Sequence, residues 1–140
     1  MSILKVDSIQ NTGGTTALTL DSNGFVIPKA VAFSVYKSGN QSLSSGTWTE
    51  VNWDVEEFDT AGFFNTSNNR FEPQIAGYYQ INFSVNQSTG TGNAVLARLM
   101  KNGVTYRFGS YHYHSASNID DYQQWASIMV HMNGSSDYLT

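Results

Sequence analysis

Residues 77 to 86 read Gly-Tyr-Tyr-Gln-Ile-Asn-Phe-Ser-Val-Asn, an alternation of apolar and small polar side chains with a period of two. Successive side chains of an extended strand point to opposite faces, so Tyr79, Ile81, Phe83 and Val85 share one face and Gln80, Asn82, Ser84 and Asn86 the other. The pattern predicts a half-buried antiparallel strand. It fixes phase as well as type, because a slip of one residue would turn the whole apolar set to solvent. Gly77, just ahead of it, is expected to supply a backbone conformation closed to other residues. Pro73 cannot donate to a ladder, which places the preceding segment at an edge or in a turn.

The same period recurs downstream. Residues 94–100 form an apolar strand, Asn102-Gly103 suits a type I′ hairpin turn, and residues 104–114 should return antiparallel. Residues 122–132 supply another long strand with Ala126, Ile128, Val130 and Met132 inward, closed by a second turn at Asn133-Gly134. Upstream, residues 31–36 place Val31, Phe33 and Val35 on one face. No segment has a helical period. Aromatic residues at 14%, charged residues at 13% and only two prolines are the balance of short strands joined by polar turns. The expected fold class is all-β and antiparallel, and 140 residues suffice for one compact domain with a short appendage.

That appendage is the first 29 residues. Leu4, Val6 and Ile9, then Leu18 and Leu20, then Phe25 and Ile27 lie on very short predicted strands separated by turn chemistry, too few to bury a core of their own. They are expected to need partners, which makes residues 1–29 a candidate attachment segment and residues 30–140 the main domain, with Pro28-Lys29 at the boundary.

Charge and composition exclude several classes. A net charge of −4 with seven scattered basic residues offers no patch for a phosphate backbone, so nucleic acid is not an expected partner. No apolar run approaches the length of a membrane span, and residues 1–5 lack the features of a signal peptide, so synthesis in a cytosol without export by the usual route is expected. With no cysteine there is neither a disulfide nor a thiolate metal site, and durability must come from packing or oligomerisation.

Phe71, Pro73, Gly77 and Tyr78-Tyr79, which follow a polar turn at residues 65–70, resemble the signature of the complement globular-head domain, the trimeric jelly roll shared with the tumour necrosis factor superfamily. The resemblance runs from about residue 31 onward. It implies a homotrimeric jelly-roll sandwich that binds and does no chemistry. It also implies final strands beyond the one opening at residues 137–140, supplied by a longer product or by another chain. The opening Ile-Leu-Lys-Val-Asp-Ser-Ile-Gln-Asn-Thr, with Ala-Leu-Thr-Leu-Asp-Ser-Asn-Gly-Phe-Val after it, resembles tail-fibre and appendage proteins of bacteriophages of marine and cyanobacterial hosts. Together the two imply a virion protein made in the host cytoplasm: a trimeric tail or head fibre with an N-terminal attachment to other virion proteins and a distal domain that adsorbs to the host. The alternatives are a capsid decoration (cement) protein and a cellular lectin-like binding module.

Candidate chemistry is sparse. His112 and His114 project to one face of a strand, and three copies around an axis would offer six imidazole nitrogens to a metal. Glu56-Glu57 and Asp120-Asp121 are expected in loops, where adjacent carboxylates point apart, so no hydrolytic pair and no enzyme is expected. No cofactor is expected either, although residues 117–121 have the oxygen ligands of a weak calcium loop. Tyr111, Tyr113 and Tyr122 flank the polar stretch 115–121 and, with Asn118, Asp120 and Asp121, form a candidate receptor-binding surface for a host glycan or protein.

Overall fold

The computed structural model describes residues 5–89, 94–113 and 120–140. Eleven strands account for its regular structure, every pairing is antiparallel, and among the described residues there is no helix.

β1 (Ser8–Gln10), β2 (Thr16–Leu20) and β3 (Val26–Pro28) form a three-stranded meander. Its turns are set by side chains bonding their own backbone: Asn11 Oδ1 accepts from the amides of Gly13 and Thr15, and Asp21 Oδ1 from those of Asn23 and Phe25. The meander buries little. Leu18 and Leu20 are half-buried, while Val6, Ile9, Phe25 and Ile27 are exposed.

In the rest of the chain, β4 (Phe33–Tyr36) pairs with β5 (Val55–Asp59), and β6 (Phe64–Asn65) with β7 (Arg70–Phe71). Glu56 and Glu57 therefore lie on a strand and not in a loop, with Glu57 accepting a bond from Ser34 Oγ at 2.9 Å. Two long pairs complete the architecture. β8 (Gly77–Thr89) and β11 (Asp120–Met132) run in unbroken register from Gly77 opposite Met132 to Thr89 opposite Asp120. β9 (Ala94–Lys101) and β10 (Val104–Tyr113) form a hairpin through Asn102 and Gly103, whose φ angles of 53° and 76° meet the two left-handed positions of the expected turn. β10 carries two bulges, between Thr105 and Arg107 and between Phe108 and Tyr111.

Leu139 joins two of these pairs. It bridges Phe71 on one side and Lys101 on the other, so residues 138–140 lie as a short strand between β7 and β9. The core sits between this sheet and the β8–β11 pair: Phe71, Leu99 and Leu139 meet Ile81, Val130 and Met132. Phe33 stacks on Phe71 at 4.5 Å and on Phe64 at 5.5 Å, and Tyr79 meets Phe71 edge-on at 5.4 Å. The strand phase is as predicted, with Tyr79, Ile81, Phe83 and Val85 inward, but Ile81 is the buried member while the two aromatic rings are half-buried.

Gly77 is an ordinary strand residue without a positive φ, and a Cβ there would meet nothing within 4 Å, so the expected backbone requirement does not hold. The demanding glycine is Gly134, at φ 71°, where a Cβ would stand 2.3 Å from the Ala76 nitrogen. Pro73 is fully buried between β7 and β8 in sequence, outside any ladder, where its missing N–H leaves no donor to satisfy.

Candidate functional site

The outward face of the β8–β11 pair combines two properties that rarely coincide on a solvent face. Its side chains are Tyr78, Gln80, Asn82, Ser84 and Asn86 from β8 and Gln123, Trp125, Ser127, Met129 and His131 from β11, brought side by side by the unbroken register. Over these ten positions none is Lys, Arg, Asp or Glu, and Asp121, opposite Ser88, is the next position on the same face. Three are large and bare, with Tyr78 76%, Trp125 60% and Met129 56% exposed. Cross-strand bonds hold the polar members flat: Gln80 donates to Ser127 Oγ at 2.8 Å and Gln123 to Ser84 Oγ at 2.7 Å. Tyr78 packs edge-on against His131 at 5.0 Å.

One flank of this face is built by β10. Gly109 lets it approach β11 closely, since a Cβ there would stand 3.1 Å from the Trp125 carbonyl oxygen and 3.3 Å from the Phe83 ring. Ser110 Oγ accepts from the Trp125 amide at 3.2 Å and donates to the Gln123 carbonyl at 3.4 Å. An open cleft of about 490 Å³ results, walled by Phe108, Trp125, Ile128 and Met129. Beside it, the Arg98 guanidinium lies 3.9 Å over the Trp48 ring, and Phe108 tilts against that ring at 6.1 Å.

The predicted receptor-binding residues are partly brought together. Tyr111 and Tyr113 share a face of β10 and are each 60% exposed. His112, on the opposite face, stacks on half-buried Tyr122 of β11 at 5.5 Å. Asp120 and Asp121 begin β11 opposite Thr89 and Ser88, so they are strand residues and not the loop residues expected. Asn118, His114 and, in the attachment segment, Leu4 lie outside the described residues, as does most of the candidate calcium stretch. His112 therefore stands in an aromatic stack, and among the described residues no cluster of three or more His, Asp or Glu side chains could hold a metal.

The acidic groups with displaced titration are structural. Asp137 is held down to about 2 by its bond to Lys101 and then by Asn102 and the Asn133 amide. Asp54 is likewise held down to about 2, by Lys37 and then the Ser38 amide. Burial acts to raise Asp59, yet the amides of Phe64, Ala61, Gly62 and Phe63 together outweigh it and lower the group. Asp54, Asp59 and Asp137 each accept a bond from a backbone amide, of Ser38, Phe64 and Asn133 respectively.

The outward face of β8–β11 went unmarked in the sequence because its residues occupy the polar half of an alternation. The signal was present in the members that break the polar pattern, Tyr78, Trp125 and Met129. No family model, curated protein or solved structure matches the chain.

Proposed function

We propose that the chain is a structural protein of a bacteriophage virion: a homotrimeric tail or head fibre whose main domain is a globular-head-like jelly roll and whose first 29 residues attach it to other virion proteins. Its role is adsorption to the host, through the exposed tyrosines at the Tyr111 and Tyr113 end. It performs no catalysis and carries no cofactor. The observation that carries the oligomeric reading is the stretch of the outward face of β8–β11 spanned by Tyr78 to Asn86 and Gln123 to His131. Three bare, largely apolar side chains on a stretch without Lys, Arg, Asp or Glu are costly in water and well suited to burial against copies of the chain. The virion assignment is supported by the phage-like wording of the N-terminal segment and by the exposure of its apolar residues.

Light scattering on the purified chain is expected to give three times the protomer mass at micromolar concentration, and Met129→Lys to reduce it to a monomer by placing a charge in the seam. A stable wild-type monomer would sink the trimer. Immunogold labelling of purified particles is expected to decorate the tail or a head fibre. Uniform label over the shell would favour a decoration protein instead, and its absence from particles a cellular binding module.

A further inference from the structure

The second bulge of β10 gives its outer face a feature that plain alternation forbids. Phe108 and Tyr111 stand three residues apart and would lie on opposite faces of a regular strand. Across the bulge three steps along β10 answer two along β9, so Phe108 pairs with Arg98, Tyr111 with Leu96 and Tyr113 with Ala94. Directly opposed residues share a face, and so do alternate positions of one strand, which puts the three rings in single file on one side of the hairpin. That side is the outer one, since Val95 and Leu99, of the other parity on β9, are buried. Phe108 is 55% exposed, nearly as much as the two tyrosines.

The row is fixed from behind. Ser110, inside the bulge, bonds the Trp125 amide and the Gln123 carbonyl of β11, and Gly109 admits the Trp125 carbonyl oxygen at a distance that a side chain would close. Neighbouring rings stand two partner positions apart, about 6.6–6.8 Å along the strand. Arg98 is the one charged side chain on the three rungs, and its guanidinium is taken up by the Trp48 ring at 3.9 Å and by Thr105 Oγ1 at 2.9 Å. These features narrow the occupant. A stable protein partner needs about 800 Å² on each side. Three aromatic rings of about 200 Å² each, little more than half exposed, offer on the order of 350 Å². An extended peptide adds to the edge of a sheet, and a face has no backbone groups to offer it.

We propose that Phe108, Tyr111 and Tyr113 form a platform for a linear, uncharged glycan, whose successive sugar rings lay their C–H faces on the aromatic ones. A pyranose has an apolar face and a rim of hydroxyls, which suits a flat ring with a polar edge, and two of the three rings carry a hydroxyl there. A linear chain presents such faces one after another along a line, as the single-file row does. With the Arg98 cation engaged, nothing on the three rungs selects a charged sugar. The inference rests on the reading of the Tyr111 and Tyr113 end as the adsorption surface, adds Phe108 to that surface and names what it holds. In a trimer, three such platforms would compound a weak single-site affinity.

The test titrates the purified chain by calorimetry with cellohexaose, chitohexaose and mannohexaose as neutral probes and a heparin hexasaccharide as the charged one. Saturable binding to at least one neutral probe is expected, with the heparin fragment weaker. Phe108→Ala, Tyr111→Ala and Tyr113→Ala should each weaken that binding about threefold or more at an unchanged melting temperature, because each removes one stacked ring from an exposed position. Tyr111→Trp should keep the affinity and Tyr111→Leu lose it, since leucine preserves apolar area but has no flat face. No binding to any neutral probe, a preference for the heparin fragment, or a Tyr111→Leu protein that binds like the parent would each overturn the proposal. A Phe108→Ala protein with the parent's affinity would equally overturn the three-ring row. Failure of the glycan and failure of the virion reading are separable: a chain that binds no probe yet labels the tail of purified particles loses only the former, and one that binds a probe but is absent from particles loses only the latter.

Discussion

At the scale of single residues, Gln124 is the outlier. It is fully buried on the inward face of β11, opposite Val85, and neither atom of its amide has a bonding partner. Leaving a buried polar group unpaired costs about 1–3 kcal/mol, whereas an apolar side chain of similar shape carries no such cost. Gln124→Met is therefore expected to raise the melting temperature of the isolated protein by an amount equivalent to about 1–3 kcal/mol. A lower melting temperature would show that the amide is paired in solution. The opposite sign is expected where side chains are purely apolar: Met132→Ala, at a fully buried position, should cost about 2–5 kcal/mol. Tyr79→Ala should cost about 3 kcal/mol, at the lower end for aromatics because the ring is half-buried, and Gln80→Ala far less. Thermal melts that ranked Gln80 above Tyr79 would contradict the strand phase. Gly134→Ala belongs with the severe cases, since both the positive φ and the Ala76 backbone at 2.3 Å oppose a methyl group there.

At the scale of elements, the turn at residues 133–137 is one place where acid should act. Asn133 Oδ1 accepts from the amides of Ser135, Ser136 and Asp137, while Asp137 pairs with Lys101 at 2.8 Å and so ties this turn to the end of β9. In the fold the Asp137 carboxyl titrates at about 2, against an ordinary value of 3.8. The unfolded chain thus takes up that proton first as pH falls, so the group's stabilisation is complete above about pH 5 and is lost progressively toward pH 2. Thermal melts between pH 6 and 2 should show this decline, and Asp137→Asn should start lower and decline less. An identical slope for the two proteins would remove Asp137 from the account. The strands themselves were largely legible in the sequence, since alternation located β8 and β11, and Asn102-Gly103 located the β9–β10 turn. Glu56, Glu57, Asp120 and Asp121 were misread as loop residues, because polar strand ends carry no period that distinguishes them from a loop. Joining residues 138–140 to both β7 and β9 depends on contacts of Leu139 with Phe71 and Lys101, both distant along the chain, which no local pattern encodes. The outward face of β8–β11 was hidden for a different reason: alternation reports which residues face inward and is silent on what covers the other side.

For the whole molecule, the proposed division of labour gives a further expectation. Deleting residues 2–27 should leave the main core intact, because none of the residues that form it precedes Val31. It should also abolish incorporation into particles, as read by immunoblot of purified virions. A deleted protein that still assembled at normal occupancy would move the attachment to the main domain. The long β8–β11 pair has a mechanical consequence as well. Its strands run in opposite directions over thirteen paired positions, so a pull applied at Gly77 and resisted at Asp120 acts along the ladder from opposite ends. Under such a load the rungs share the force at once and fail together, whereas pulling both strands from the same end would part them one rung at a time. On the adsorption reading proposed above, a tether at the Gly77 end and a grip at the Tyr113 end would load the pair in the first geometry, strong along the line of pull.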